Sequence, residues 1–310
     1  MSGRTVTVII PTYKPDQLLM RLIKQIKEQT YNVERILVMN TEEQYWNPAF
    51  EKITDKLEVL HIKKAAFDHG RTRDEAAQMV DSDIMIYLTQ DACLQDENVF
   101  SEMLKFFDRP KVKAVYARQL PQKDCKTIES YTRAFNYPDK TQIKSKSNLD
   151  KLGIKTYFCS NVCAAYDRDT YVKLGGFVKR AIFNEDMIYA GKLINAGYRI
   201  AYAAKACVIH SHNYSNLEQL RRNFDVAVSQ VEHPEVFAGI KSEGEGIKLV
   251  KQTARYLWQI RKPWLIGVLF VSSACKYLGY WLGKHYRILP RKWIAKLTMN
   301  PEYWKDFTVY

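Results

Sequence analysis

Short, mostly apolar runs alternate with helical patterns through the N-terminal part of the chain, which leaves few folds open. Thr5–Ile10 is β-branched and stopped by Pro11, and Arg35–Met39, Leu57–Ile62 and Ile84–Leu88 follow. Continuous apolar runs of this length suit strands buried on both faces, as in a parallel sheet. Between the first two, Leu18, Leu19, Leu22, Ile23 and Ile26 recur at helical spacing after Asp16, which predicts an N-capped helix. Thr72–Val80 reads as another helix. The alternation predicts an α/β fold: a mostly parallel sheet with helices on both faces. In such sheets ligands gather beyond the carboxyl ends of the strands. Pro11, Thr12 and Tyr13, then Asn40, then Gln90, Asp91 and Ala92 all fall there.

Further along, Val112–Leu120, Phe158–Tyr166 and Ile200–His210 read as strands. Pro121–Lys151 holds many lysines and few apolar anchors, so it reads as a loop or lid. Asp169–Leu174 is a short helix closed by Gly175-Gly176. Phe183-Asn184-Glu185-Asp186-Met187 sets an acidic pair at the start of a helix that ends at Gly197. A carboxylate there is favoured by the helix terminus and is placed to take a proton from a hydroxyl, although simple N-terminal acids would look the same. His210 and His212, two apart at a strand end, can point the same way toward a metal or serve as structural histidines. In Asp68-His69-Gly70-Arg71-Thr72-Arg73-Asp74, Gly70 permits close backbone approach to a ligand and Arg71 or Arg73 can pair with phosphate. The competing reading is a solvated basic helix start.

The net charge of +13 favours an anionic partner. After residue 240 there are thirteen Lys and Arg against four Asp and Glu, so +9 of it lies in the C-terminal region. Leu217–Val231 and Ile247–Lys262 read as amphipathic helices. Pro263–Cys275 is uncharged, but Lys276 interrupts the run before it reaches the length of a membrane span, about 20 residues. A spanning helix, an interfacial anchor and a packing or oligomer helix all remain open, with Trp264, Trp281, Trp293 and Trp304 favouring the interface. Six cysteines show no CxxC or zinc spacing and read as free thiols of a reducing compartment. No basic, apolar leader precedes the first strand, so the expectation is a cytoplasmic protein.

Val6–Tyr13, Leu88–Ala92 and the Glu185-Asp186 block with Asn195–Ile200, in that order and spacing, resemble the family 2 glycosyltransferases over roughly the first 215 residues. The resemblance implies a GT-A catalytic domain over residues 1–215, followed by a basic amphipathic helical region, 216–310, for membrane association or oligomerisation. It also implies inverting transfer of a sugar from a nucleotide, with Asp186 as base and Glu185 orienting nearby. Asp91 stands where the family's DxD motif binds Mn²⁺ or Mg²⁺, although here the motif reads Gln90-Asp91-Ala92. Either His210 or His212 would complete the metal shell. Pro11, Thr12 and Tyr13 fall where the family grips the base, with Tyr13 able to stack on it. Asn40 replaces the usual acid after the second strand. Gln90, His69, Gly70, Arg71 and Arg73 complete the donor-side candidates.

The Phe67–Arg73, Leu88–Ala92 and His210–Ser215 segments together look like the rhamnosyltransferase branch, whose members use dTDP-β-L-rhamnose. With its basic tail the whole chain is similar to the α-1,3-rhamnosyltransferases of Lancefield-type group carbohydrate synthesis. That implies a polyprenyl-diphosphate-linked rhamnosyl-GlcNAc acceptor and a peripheral location on the inner face of the membrane. The alternatives are a family 2 enzyme using a UDP-hexose, a catalytically silent scaffold, and a nucleic-acid binder. The last is disfavoured because the charge sits in amphipathic helices rather than in a stripe with exposed aromatics over the core.

Overall fold

The computed structural model describes residues 3–240 and 243–305. Its strands are β1 (Val6–Tyr13), β2 (Arg35–Thr41), β3 (Leu57–Ile62), β4 (Ile84–Leu88), β5 (Cys93–Leu94), β6 (Val112–Leu120), β7 (Gln142–Lys144), β8 (Cys163–Asp167) and β9 (Arg199–Ile209). Its helices are α1 (Gln17–Lys27), α2 (His69–Gln78), α3 (Val99–Leu104), α4 (Thr127–Asn136), α5 (Leu149–Leu152), α6 (Arg168–Lys173), α7 (Glu185–Asn195), α8 (Asn216–Glu232), α9 (Pro234–Phe237), α10 (Glu243–Gln259), α11 (Leu265–Lys284) and α12 (Arg291–Leu297). The chain divides into two compact units. The first holds Met1–Gln122, Tyr137–Arg180 and Glu185–Ser211, and the second Lys123–Asn136, Ala181–Asn184 and His212–Tyr310. The break after Ser211 lies close to residue 215, and the second unit also takes two segments from inside the N-terminal stretch.

In the first unit one sheet runs β3-β2-β1-β4-β8-β6-β9-β5, with β7 added on β9. β1 to β4 are mutually parallel, as their apolar runs predict, and β6 is parallel to β9. β8 enters antiparallel between β4 and β6, so the sheet is mixed from there on. Val6, Val8, Ile9 and Ile10 of β1 are all buried, which requires cover on both faces of that strand. Part of the cover is α1, where Leu19, Leu22, Ile23 and Ile26 are buried and Asp16 caps the helix by accepting from the Leu18 N–H at 2.8 Å.

Two expectations need correction. Residues 121–151 are no structureless lid: α4 lies there in the second unit, and β7 pairs with β9 in the first. β7 even buries a lysine, Lys144. It donates to the carbonyls of Lys155 (3.0 Å) and Phe158, under the rings of Tyr116 and Phe158. Nor does the strand of 158–166 begin at Phe158. β8 starts at Cys163 because the Asn161 N–H is taken by Asp186 Oδ2 and the Ser160 carbonyl closes a turn on the Cys163 N–H, so these backbone groups continue no ladder.

In the second unit α11 lies along α8. Gly279 and Gly283, one turn apart, sit where any Cβ would strike the carbonyl oxygens of Leu220 and Phe224. Small residues at this spacing let two helix backbones approach closely. Below them Phe224, Val228, Tyr286, Ile294 and Ile182 form a core. Asp225 on α8 ties down the exit of α12, accepting from Thr298 Oγ1 (2.7 Å), the Met299 N–H (2.9 Å) and Asn300 Nδ2 (3.2 Å). α11 is long and apolar enough, by length and composition, to cross a membrane.

Candidate active site

The acidic pair opens α7. Asn184 before it takes a positive φ of 63°, which turns the chain sharply into the helix. Gly197 closes the helix at φ 85°, with the Tyr198 N–H returning to the Leu193 carbonyl. Asp186 is half-buried, and its Oδ2 accepts the Asn161 backbone N–H at 3.0 Å. Its Oδ1 accepts the Met187 N–H at 2.7 Å. Glu185 is buried, accepts from Asn161 Nδ2 at 3.1 Å, and faces Arg73 Nη1 at 3.4 Å. The Asn161 Oδ1 accepts in turn from the Tyr166 hydroxyl at 2.8 Å. Burial, and then the Glu185 charge, push Asp186 up to about 7, against the pull of its two N–H donors and of Arg73. A carboxylate so raised is only partly ionised at neutral pH, and its ionised form is basic enough to accept a proton from a sugar hydroxyl.

At the other strand ends, Asp91 Oδ2 stands 3.4 Å from His210 Nε2. Two ligands each about 2.1 Å from one ion, at a near-octahedral angle, stand about 3 Å apart. The pair therefore fits one divalent ion, with a carboxylate oxygen and an imidazole nitrogen as donors. Mn²⁺ and Mg²⁺ both accept oxygen ligands readily, and Mn²⁺ also takes imidazole. His212 belongs to the second unit, where its ring lies against Tyr214.

The donor-side candidates divide. Tyr13 is exposed, with its ring edge-on to Tyr45 and the ammonium groups of Lys14 and Lys64 within 5.6 Å. Gln90 exchanges two hydrogen bonds with the Tyr13 backbone, at 2.9 and 3.0 Å, and so pins the end of β1 to the turn after β4. Arg71 is exposed at the start of α2, and the His69 ring meets Phe67. Pro11 lies within β1.

Other positions make contacts within the protein. Thr12 Oγ1 donates to Asn40 Oδ1 at 3.0 Å, and Asn40 Nδ2 reaches the Glu42 carbonyl and His61 Nδ1, so both side chains are buried cross-ties. Gly70 makes room for α2 against Val178, since a Cβ there would strike the Val178 carbonyl. Arg73 is buried against Glu185. Asn161, Tyr45, Lys14 and Lys64 were not among the sequence candidates. Asn161 sits in a run that reads as plain strand, and only its unusual polar pair with Ser160 could have drawn notice.

The fold is that of the GT-A glycosyltransferases. Among solved structures, the mannosyltransferase PcManGT from Pyrobaculum calidifontis, in complex with GDP-Man and Mn²⁺, superposes with a TM-score of 0.57 at 16% identity, over 96% of this chain and 85% of that one. S. aureus TarS 1-349 gives a TM-score of 0.54 at 13% identity, over 91% of each chain. The chain belongs to glycosyl transferase family 2, whose model matches residues 7–175. It is 37% identical over 305 residues to the O-antigen chain rhamnosyltransferase RfbN of Salmonella typhimurium, across 97% of this chain and 96% of that protein. It is also 40% identical over 252 residues to the O-antigen chain rhamnosyltransferase WbaN of Salmonella anatum, across 80% and 79%. The protein is therefore a glycosyltransferase.

Proposed function

We propose that this glycosyltransferase moves L-rhamnose, with inversion, from dTDP-β-L-rhamnose to the rhamnosyl-GlcNAc of a polyprenyl-diphosphate-linked acceptor on the cytoplasmic side of the membrane. The observation that carries the mechanism is Asp186, oriented by two backbone N–H groups and raised in basicity by burial and Glu185. Asp186 takes the proton of the acceptor hydroxyl as its oxygen bonds to the anomeric carbon, and the bond from that carbon to the diphosphate breaks. Glu185, fixed by Asn161 and Arg73, holds the helix start in place and supplies the second charge. Asp91 and His210 would hold Mn²⁺ or Mg²⁺. Such an ion offsets the charge that develops on the leaving diphosphate. Tyr13 and Tyr45 offer stacking faces to the base, and Lys14 and Lys64 offer cations beside it.

The choice of rhamnose is supported by the similarity to RfbN and WbaN over most of the chain. The test is transfer from dTDP-L-rhamnose to a synthetic lipid-diphosphate-linked rhamnosyl-GlcNAc, read by mass spectrometry with UDP-sugars in parallel. A deoxyhexose gain from dTDP-rhamnose alone, lost in Asp186→Asn, is the expected result. Transfer from a UDP-hexose instead overturns the rhamnose reading and leaves the reaction type standing. Near-normal turnover by Asp186→Asn overturns the base.

A further inference from the structure

The helix α11 carries one charge among its apolar residues before its last turn, Lys276. In the fold that lysine does not break the apolar surface. At 100° per residue, Lys276 falls on the same side of α11 as Leu269, Gly279 and Gly283, the side buried on α8. Burial there pulls its ammonium below the ordinary lysine value, with Glu129 on α4 opposing the pull and Arg222 and Arg133 adding to it.

The opposite side is apolar along its length. Val271, Leu278 and Trp281 lie along its middle, Phe270 and Tyr277 continue it around one flank, and Trp264 and Val268 around the other. All seven are exposed, with Trp264 at 68%, Tyr277 at 65% and Phe270 at 58%. This is about half the circumference of a helix roughly 30 Å long, more than the scattered apolar residues of an ordinary soluble surface. Exposed cations stand beyond both ends: Arg261 and Lys262 before the helix, and Arg287, Arg291 and Lys292 after it. Tryptophan stands near each end as well. Cations and indoles around an apolar stripe match an anionic bilayer surface, where headgroups meet the cations and the indole sits at the boundary.

We infer that α11 docks flat on an anionic lipid membrane, with the Trp264–Trp281 face sunk to the acyl boundary and the α8 face turned to the cytoplasm. Spanning is excluded by its partner. α8 is locked backbone to backbone at Gly279 and Gly283, and it carries Glu218, Arg221, Arg222, Asp225 and Glu232, whose insertion into hydrocarbon is prohibitive. The inference rests on the helix surface alone and holds whatever sugar the enzyme transfers.

The test is flotation of the full-length protein with phosphatidylcholine vesicles, with or without phosphatidylglycerol, and with no donor or acceptor present. The expected result is binding to the anionic vesicles that is weakened by salt, accompanied by a blue shift of tryptophan emission and by release in alkaline carbonate. Val271→Asp with Leu278→Asp, both exposed, should lower the partition coefficient tenfold or more, while circular dichroism and sugar transfer to a water-soluble acceptor stay unchanged. Retention after carbonate would show a spanning helix and overturn the proposal. So would failure to bind anionic vesicles, or a concentration-dependent dimer that the same double variant dissolves without vesicle binding.

Discussion

The Asn161 backbone N–H points at Asp186 Oδ2 from 3.0 Å, while the Asn161 side-chain amide holds Glu185 at 3.1 Å. One residue thus orients both acids, by two chemically different groups. Asn161→Ala keeps the N–H on Asp186 but releases Glu185 and leaves the Tyr166 hydroxyl without its acceptor at Asn161. It should lower kcat roughly tenfold or more with little change in donor KM, and destabilise the protein by about 1–3 kcal/mol. Steady-state kinetics with a thermal melt read both effects, and a change confined to KM would contradict the role.

The pH profile should report Asp186. The base must be ionised, and it is raised to about 7, so kcat/KM should climb through neutral pH and level off above it. An unshifted carboxylate would place that limb near 4. Glu185 raises Asp186, so Glu185→Gln should move the limb to lower pH, and Arg73→Met, removing the opposing charge, should move it higher. Linkage has the matching sign. The native state binds this proton more tightly than the unfolded chain does, so Asp186 costs stability as pH rises from about 4 toward 7.

Chelation should abolish transfer, and Mn²⁺ or Mg²⁺ should restore it. Asp91→Ala should raise the metal concentration needed for half-maximal activity by roughly a hundredfold while leaving the melting temperature in place. An unchanged metal titration would remove Asp91 from the ion.

Gly70→Ala tests why that glycine is there. Its Cβ would meet the Val178 carbonyl, backbone that cannot rotate aside. The expected loss is about 1–3 kcal/mol of stability, with activity falling as α2 shifts Arg73 from Glu185. A stable, fully active variant would return Gly70 to the ligand-approach reading.

Asp225→Ala should cost about 2–4 kcal/mol. It removes the acceptor for three donors at once, and Thr298 Oγ1 and Asp225 are both buried. Burial raises Asp225 to about 6, so the native state is favoured by protonation there and its advantage declines as pH rises from about 4 through 6. Chemical denaturation at pH 5 and pH 8 measures both.

What could be read from the chain followed physical rules that act locally. β1, β2 and β4 announced themselves because a strand buried on both faces needs a largely apolar run, and α7 because an acidic start and a terminal glycine are short-range signals. The pairing of Asp91 with His210 was accessible because both fall at strand ends. Partner choice across the sheet was hidden. The polarity of Asn40 and Arg73 suggested ligand contact, while their contacts with Thr12, His61 and Glu185, which are distant in sequence, could not be read from the chain. Residues 121–151 misled for the same reason: their lysines masked Ile128, Tyr131 and Phe135 on α4, and Lys144 is buried because two carbonyls and two rings receive it.

The order of α8 and α11 along the chain has a consequence during synthesis. Residues 216–232 leave the ribosome before 265–284 do, so the segment whose carbonyls meet Gly279 and Gly283 is already outside when the most apolar helix emerges. Domains tend to form in that N-to-C order. Had the two segments been transposed, a 20-residue apolar helix would have emerged with neither face covered and been open to insertion or aggregation before its partner existed.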